Sequence, residues 1–171
     1  MSVAAPRRRF LGALAALAAA APSGPVRSAA GSAAKVGDRV DWNDVTLVDG
    51  SVLGAAKLAS SPVVVEFWAS WCPFCKRQNP HVQTLHERHQ GSLVVLAYSI
   101  DKDPAKAREY LAEHRYTFPA AMAGADAERW FGRREGLPEV YVVDRGRIVF
   151  RDLREMFPED VAALARYARR T

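Results

Sequence analysis

The only two cysteines of this 171-residue chain lie two residues apart, in the sequence Trp71-Cys72-Pro73-Phe74-Cys75. They follow directly after a β-branched and aromatic run and stand at the start of a helical pattern. A strand that leads into a Cys-x-x-Cys pair at a helix N-terminus is typical of a thiol–disulfide redox site. The chain is therefore constrained to a fold that presents this pair at the end of a strand.

The two cysteines are expected to play different roles. A helix N-terminus carries unpaired N–H groups and a partial positive charge, which stabilise a thiolate. We therefore predict that Cys72 is the nucleophile, with a lowered pKa and the greater exposure, and that Cys75 is the shielded resolving thiol. In the active-site loop formed with Trp71, Pro73 stiffens the turn and Phe74 brings no charge.

Two structural roles compete with redox chemistry for this pair. A purely stabilising disulfide across so few residues would close a very small loop, so its entropic benefit would be slight. A structural zinc ion needs four ligands, and the sequence has no second cysteine pair. We predict a redox-active disulfide, with no metal ion and no cofactor.

Glu66 is the second informative residue, because it lies six positions before Cys72 within the run Val63–Trp68. A carboxyl group in a strand covered on both faces is costly to ionise, so its pKa should be raised. Such a group can accept and return the proton of the resolving thiol. The alternative is a glutamate at a sheet edge that simply reaches solvent.

The first thirty residues are predicted to be an export signal. Arg7–Arg9 supplies the charged region, Leu11–Ala21 is an apolar core too short to span a bilayer, and Ser28–Ala30 offers small residues for cleavage. Two arginines followed closely by Phe10 resemble a twin-arginine signal, and an ordinary Sec signal is the alternative. Both place the protein in the periplasm, where a cysteine pair can stay oxidised.

The net charge of +5 does not indicate a nucleic-acid-binding protein. The first thirty residues contain four arginines and no acid, which leaves 20 basic and 19 acidic residues in the rest of the chain. The basic character therefore belongs to the signal and not to a binding face. We expect residues 31–35 to be a flexible lead-in, residues 36–171 to form one domain, and no stable membrane span.

Alternating strand and helix patterns predict an α/β sandwich. A hairpin is expected around Asp49-Gly50, and Asp103-Pro104 is typical of a helix start. The predicted strands are 40–48, 51–53, 62–68, 93–100, 140–144 and 147–151, and the predicted helices are 72–89, 105–114, 125–131 and 158–170.

A set of motifs in this chain resembles the thioredoxin superfamily, and within it the TlpA/ResA group of exported thiol–disulfide oxidoreductases. The resemblance extends from Val36 to the C-terminus. It implies a thioredoxin-like fold, in which a central mixed β-sheet is flanked by helices and preceded by an N-terminal β-hairpin extension. The residues that carry it are Val64–Cys75, Pro80, Ser99–Asp101, Phe118-Pro119 and Gly136–Glu139.

The resemblance also implies roles for single residues. Pro138 becomes the cis-proline that faces the disulfide and holds an incoming chain beside Cys72, and Glu66 occupies the position of the buried acid. Two stretches depart from the group: Lys76–Pro80 lacks a customary acid, and Arg133–Glu135 carries more charge than usual. We expect both stretches at the partner-facing surface, where they bear on the identity of the client.

The leading interpretation is a periplasmic protein disulfide reductase, kept reduced by a membrane electron donor and acting on oxidised client proteins. The same fold could act as an oxidase, because tens of millivolts decide the direction. The sequence Gly136–Glu139 also resembles the CcmG/DsbE branch, which serves cytochrome c maturation. A Cu(I) chaperone is the alternative from another class, since thiolates suit Cu(I), although such chaperones tend to use a Cys-x-x-x-Cys pair.

Overall fold

The computed structural model describes residues 31–170 together with Met1, so the predicted export signal lies outside the described residues. Five strands form one mixed sheet in the order β5-β4-β3-β6-β7, and two short strands form a separate antiparallel hairpin near the N-terminus. The strands are β1 Val45–Thr46, β2 Val52–Leu53, β3 Val63–Trp68, β4 Val94–Ser99, β5 Ala120–Met122, β6 Glu139–Asp144 and β7 Arg147–Asp152. The helices are α1 Ala55–Ala59, α2 Pro73–Arg88, α3 Pro104–His114, α4 Ala125–Phe131 and α5 Pro158–Ala163.

The sheet has parallel and antiparallel parts that meet at β3. This strand pairs in parallel with β4 and antiparallel with β6, and β4 continues in parallel to β5. All six residues of β3 are buried, as expected for a strand covered on both faces. The architecture confirms the predicted class, a mixed sheet flanked by helices with an N-terminal hairpin.

The alternation of side chains along β3 divides the core into two parts. Val64 and Trp68 contribute to the cluster that contains both cysteines and side chains of α2, α3 and α5. Val65 and Phe67 contribute to the opposite cluster, which contains side chains of α1 and α4. Helices therefore cover both faces of the sheet, and the cysteine pair belongs to the face covered by α2.

The first hairpin is shorter than the sequence indicated. Asp49 closes the turn by accepting a hydrogen bond from the backbone N–H of Ser51 at 2.9 Å. The backbone N–H of Val48 donates instead to the carbonyl of Ala120, and that of Val40 donates to Gly146. Because these residues bond to other parts of the domain, the paired strands are limited to Val45–Thr46 and Val52–Leu53.

The lead-in and the C-terminal helix also differ from expectation. Ala34 lies in the segment expected to be flexible, but it is buried and its N–H donates to the carbonyl of Phe131 at 2.9 Å. At the C-terminus, α5 ends at Ala163 and a 3-10 turn follows, where a helix to residue 170 was expected. The N–H of Arg169 donates to Ser92, so the end of the chain is drawn out of the helix toward the start of β4.

None of the helices between residues 31 and 170 combines the length and the apolar composition needed to cross a membrane.

Candidate active site

Cys72 and Cys75 form a disulfide at the N-terminus of α2. Cys72 is the N-cap residue and Pro73 occupies the first turn, where a missing N–H costs no helical hydrogen bond. The Cα atoms of the two cysteines are 5.3 Å apart, and the backbone N–H of Cys75 donates to the Cys72 sulfur at 3.2 Å. When the bond is reduced, this N–H and the helix dipole are placed to stabilise a thiolate at Cys72.

Exposed apolar side chains flank the buried sulfur atoms. Cys72 is 2% exposed and Cys75 is 0% exposed, so Cys72 is the more exposed of the two, as predicted, but only by a small margin. Trp71 and Phe74 are 62% and 48% exposed. The surface around the disulfide is therefore apolar and open to a protein chain.

An arginine of α2 that lies over the Phe74 ring is already paired. The guanidinium group of Arg77 lies 4.9 Å from the centroid of the Phe74 ring. The same group donates two hydrogen bonds of 2.6 Å to the carboxylate of Glu155, which raises the pKa of Arg77 and lowers that of Glu155. Glu155 therefore largely neutralises the positive charge that approaches the Cys-x-x-Cys loop.

Glu66 is completely buried on the α2 face of the sheet, which excludes the alternative of an edge residue that reaches solvent. One carboxyl oxygen accepts a hydrogen bond of 2.7 Å from the side-chain amide of Gln78. Gln78 lies one helical turn after Cys75, so both side chains lie on the same side of α2. Burial raises the pKa of Glu66 to about 8, despite the opposing effect of the Gln78 hydrogen bond. The carboxyl group can therefore exchange a proton near neutral pH.

Gln78 is a part of the site that the sequence interpretation missed. Its amide nitrogen bonds to Glu66, and its amide oxygen accepts a hydrogen bond of 2.7 Å from the backbone N–H of Met156. This fully buried side chain thus links the carboxyl group to the loop that follows β7. The signal was present, because Gln78 is an amide three residues after Cys75, at a position of the helix that faces the core.

Asp101 is the second residue whose role was missed. It is 7% exposed, and its carboxylate accepts hydrogen bonds from the Ser70 N–H at 3.0 Å and from the Ser70 hydroxyl at 2.8 Å. The hydroxyl of Ser99 donates to the same carboxylate at 2.7 Å. The carboxyl ends of the parallel strands β3 and β4 meet at one edge of the sheet, which brings these residues together. Asp101 therefore fixes the loop that leads from β3 to Cys72.

Pro138 lies at the same end of the sheet as the disulfide. The Leu137–Pro138 peptide bond is cis, as the family resemblance implied. Glu139 pairs with Phe67 across β6 and β3, so Pro138 comes level with Trp68, the last residue before the active-site loop. The register of this pair of strands thus places Pro138 beside the end of β3, from which the chain continues to the cysteine pair.

Glu139 anchors a cluster of ionic groups on the opposite face of the sheet. It is 0% exposed, and one of its carboxylate oxygens accepts hydrogen bonds from Arg151 at 2.8 Å and from the Tyr141 hydroxyl at 2.5 Å. Its other oxygen lies 3.5 Å from Nε of Arg134. Arg151 also pairs with Glu135, in the segment before Pro138. The cluster therefore ties that segment to β6 and β7.

The orientation of Arg134 corrects the sequence interpretation. We expected the stretch Arg133–Glu135 to face a partner, but the side chain of Arg134 is only 14% exposed. Its guanidinium group lies 3.9 Å from the centroid of the Phe67 ring, beside the buried carboxylate of Glu139. Arg134 turns inward because both an aromatic face and a buried carboxylate are within its reach. Arg133 remains exposed.

Replacing Glu139 with glutamine is expected to lower the free energy of unfolding by about 3–5 kcal/mol, because two arginines then lose their buried counter-charge. Urea denaturation monitored by circular dichroism measures this change. The matched control is Glu109→Gln, which breaks an ion pair with Lys106 whose side chains are 61% and 64% exposed. The control should leave the free energy of unfolding nearly unchanged. Equal effects of the two substitutions would contradict the role assigned to the cluster.

Comparison with known proteins agrees with this site. Residues 35–167 match the Redoxin family. The thiol-disulfide oxidoreductase YkuV of Bacillus subtilis is 29% identical over 103 residues, which are 57% of this chain and 70% of YkuV. The thiol-disulfide oxidoreductase ResA of Oceanobacillus iheyensis is 32% identical over 73 residues, which are 42% of this chain and 38% of ResA.

A solved structure shows that the fold is shared more widely than the sequence. A thiol:disulfide interchange protein of the thioredoxin family from Chlorobium tepidum superposes with a TM-score of 0.71 at 20% identity. The superposition covers 80% of this chain and 99% of that protein. Together with the paired cysteines at the start of α2, these matches place the chain in the Redoxin family, as a thiol–disulfide oxidoreductase of the thioredoxin superfamily.

Proposed function

We propose that the protein is an exported disulfide reductase, which reduces the disulfides of client proteins and is itself reduced by a membrane electron donor. The observation that carries this proposal is the position of Cys72 as the N-cap of α2, with Glu66 buried behind the first turns of the same helix. One helix end thereby supplies an attacking thiolate, a resolving thiol and a proton acceptor.

The reaction begins with the reduced pair. The Cys72 thiolate attacks one sulfur of the client disulfide, and the other client sulfur leaves as a thiolate. Cys75 then gives its proton to the Glu66 carboxylate, and its thiolate attacks the Cys72 sulfur. This attack forms the Cys72–Cys75 disulfide and releases the second client thiolate, so two electrons pass to the client. By resemblance, Pro138 holds the client chain beside Cys72 during both steps.

The charges around the disulfide favour reduction over oxidation of clients. A strongly oxidising pair needs a highly stabilised thiolate in its reduced form. Here Phe74 brings no charge, and the Arg77 guanidinium group is bound to Glu155. The thiolate of Cys72 therefore depends mainly on the helix N-terminus for stabilisation. A pair stabilised in this modest way donates electrons more readily than a pair supported by a free cation.

Export is supported by the first thirty residues, which carry an arginine-rich region, a short apolar core and small residues before Gly31. A membrane donor fits a protein located outside the cytoplasm, where thiols do not stay reduced without a supply of electrons. Fusion of residues 1–30 to a reporter that is active only after export tests this part, and a reporter retained in the cytoplasm would refute it.

The reduction potential of the Cys72–Cys75 pair tests the direction of transfer. We expect a value near that of thioredoxin, about −270 mV, because Phe74 brings no charge and the Arg77 guanidinium group is bound to Glu155. Equilibration of the protein with glutathione buffers, followed by alkylation of free thiols and mass spectrometry, gives the value. A potential near about −120 mV would make the pair an oxidant and would overturn the proposed reductase.

A further inference from the structure

Several polar atoms are buried without a partner on the face of the sheet that carries the disulfide. Among the described residues, the second carboxyl oxygen of Glu66, both amide atoms of Asn79 and the hydroxyl of Tyr110 make no hydrogen bond of good geometry to the protein. These side chains are 0%, 0% and 5% exposed. Buried polar groups almost always have partners, so these exceptions on the side of the sheet that holds the redox centre call for a functional explanation.

These groups are close to one another. The Tyr110 ring packs on Trp68, with 5.1 Å between ring centroids, and Trp68 lies two residues after Glu66 on the same face of β3. The hydroxyl of Tyr110 lies beside the Asn79 amide. Burial is the main reason why the pKa values of Tyr110 and Tyr116 are raised, and the charge of Glu66 raises both further. Asn79 directly follows Gln78, whose side-chain amide bonds to Glu66, so these polar side chains form one group between the carboxyl group and the tyrosines.

The far end of this series reaches the surface. The rings of Tyr110 and Tyr116 are 6.0 Å apart at their centroids, and Tyr116 is partly exposed where Tyr110 is buried. The phenols of Tyr110 and Tyr116 lie within range of the Glu66 charge, Glu113 lies near Tyr110, and the cysteine pair lies on the same side of the sheet. No arginine or lysine contributes to the pKa shift of Glu66.

We propose that Asn79 and Tyr110 form the route by which the buried carboxyl group of Glu66 exchanges its proton with solvent, with Tyr116 at the exit. The inference rests on the proposed function, in which Glu66 takes the proton of Cys75. A hydroxyl can accept one proton, release its own and remain neutral, and a primary amide, which both donates and accepts hydrogen bonds, can hold a water molecule that passes the proton onward. Burial raises the pKa of Tyr110 to about 12, which keeps its hydroxyl protonated at neutral pH.

The route matters because of the order of the proton steps. With a pKa of about 8, the Glu66 carboxyl group is mostly protonated at pH 7. It must lose that proton to solvent before it can accept the proton of Cys75. The Cys75 thiolate then attacks the Cys72 sulfur, the bond from Cys72 to its mixed-disulfide partner breaks, and the partner leaves as a thiolate. Above pH 9 the carboxyl group is already ionised, and the first proton transfer is no longer needed.

The test mixes the reduced full-length protein with glutathione disulfide in a stopped-flow instrument. Glutathione disulfide first forms a mixed disulfide at Cys72, and Cys75 then resolves it in a concentration-independent phase. We expect Tyr110→Phe and Asn79→Leu to slow this second phase about tenfold at pH 7, less than the ~10²-fold that a general base supplies. The rate of the first phase should be the same in the variants as in the wild type. The solvent isotope effect on the second phase should be larger in the variants, and at pH 9.5 the rate of the second phase should equal that of the wild type.

The controls separate proton transfer from packing. Tyr98→Phe removes a tyrosine hydroxyl from the opposite face of the sheet and should leave both phases unchanged. Asn79→Leu replaces an unpaired buried amide with an apolar side chain of similar size, so its melting temperature should not fall. The route would be overturned if Tyr110→Phe and Asn79→Leu slowed the second phase equally at pH 7 and pH 9.5, or if Tyr98→Phe slowed it as well. Wild-type rates of the second phase in both Tyr110→Phe and Asn79→Leu would also overturn it.

A wild-type protein that does not react with glutathione disulfide would refute the proposed function and not the route. In that case the carboxyl carbon-13 resonance of Glu66 in the oxidised protein reports its proton exchange directly. Slower exchange in Tyr110→Phe than in Tyr98→Phe would support the route, and equal exchange would overturn it.

Discussion

Replacing Cys72 with serine is expected to abolish the reduction of insulin disulfides, because serine is not ionised at the helix N-terminus at neutral pH and cannot form a mixed disulfide. Replacing Cys75 with serine should stop the same reaction one step later. That variant keeps the nucleophile and its hydrogen-bonding environment at the N-cap of α2. It should accumulate as a covalent adduct with the client, since the thiol that resolves the mixed disulfide is gone.

Turbidity of insulin in the presence of dithiothreitol measures the loss of activity, and mass spectrometry under non-reducing conditions detects the adduct. The two variants serve as controls for each other, because each removes one sulfur atom from the same helical turn. Adducts formed by Cys72→Ser, but not by Cys75→Ser, would reverse the assigned roles. Activity retained by Cys72→Ser would refute dithiol chemistry altogether.

Replacing Glu66 with glutamine is expected to slow the resolving step by about 10²-fold, because the buried proton acceptor of Cys75 is lost. Glutamine is close to the carboxyl group in size and can still bond to Gln78. The rate of the wild type should rise with pH through the pKa of about 8, and the rate of the variant should lack this rise. Stopped-flow measurement of the second phase with glutathione disulfide gives both profiles.

The same substitution should change how stability depends on pH. The pKa of Glu66 is raised from 4.5 to about 8 in the folded protein, so between these values the folded state holds a proton that the unfolded state has lost. The free energy of unfolding of the wild type should therefore fall as pH rises from 4.5 to 8, by at most about 5 kcal/mol. Below pH 4.5 the carboxyl group is protonated in both states and no longer changes the free energy of unfolding with pH.

Urea denaturation at pH 4.5 and pH 9 tests this dependence. Glu66→Gln should lose less stability than the wild type between the two values and be the more stable protein at pH 9. Glu87→Gln, on the exposed side of the same helix, should follow the wild type. A wild type whose pH dependence matches that of Glu66→Gln would show that the carboxyl group is not held in its protonated form.

Much of this fold is visible in local sequence patterns. The run Val63–Trp68, apolar except for Glu66, forms the central strand, and Ala125–Phe131 forms a helix at the predicted residues. The burial of Glu66 follows from its place in a strand that is covered on both faces. These features depend on the periodicity and composition of neighbouring residues, which a single sequence contains.

The features that were missed depend on contacts between distant parts of the chain. Asp101 fixes Ser70 only because two parallel strands end at the same edge of the sheet. Arg134 turns inward because two groups of the sheet lie within its reach. Phe67, far earlier in the chain, offers an aromatic ring, and Glu139, at the start of β6, offers a buried carboxylate. The charge of a residue indicates that it needs a partner, but it does not reveal where that partner lies.

The neighbours Glu66 and Phe67 point to opposite faces of one strand, and this separates two properties of the protein. Proton chemistry depends on groups under α2, whereas the segment before Pro138 is anchored by Arg134 and Glu139 on the far side of the sheet. Substitutions under α2 that change the proton chemistry can therefore accumulate without loosening the anchor of the segment before Pro138. The two faces of one strand can thus change independently of each other.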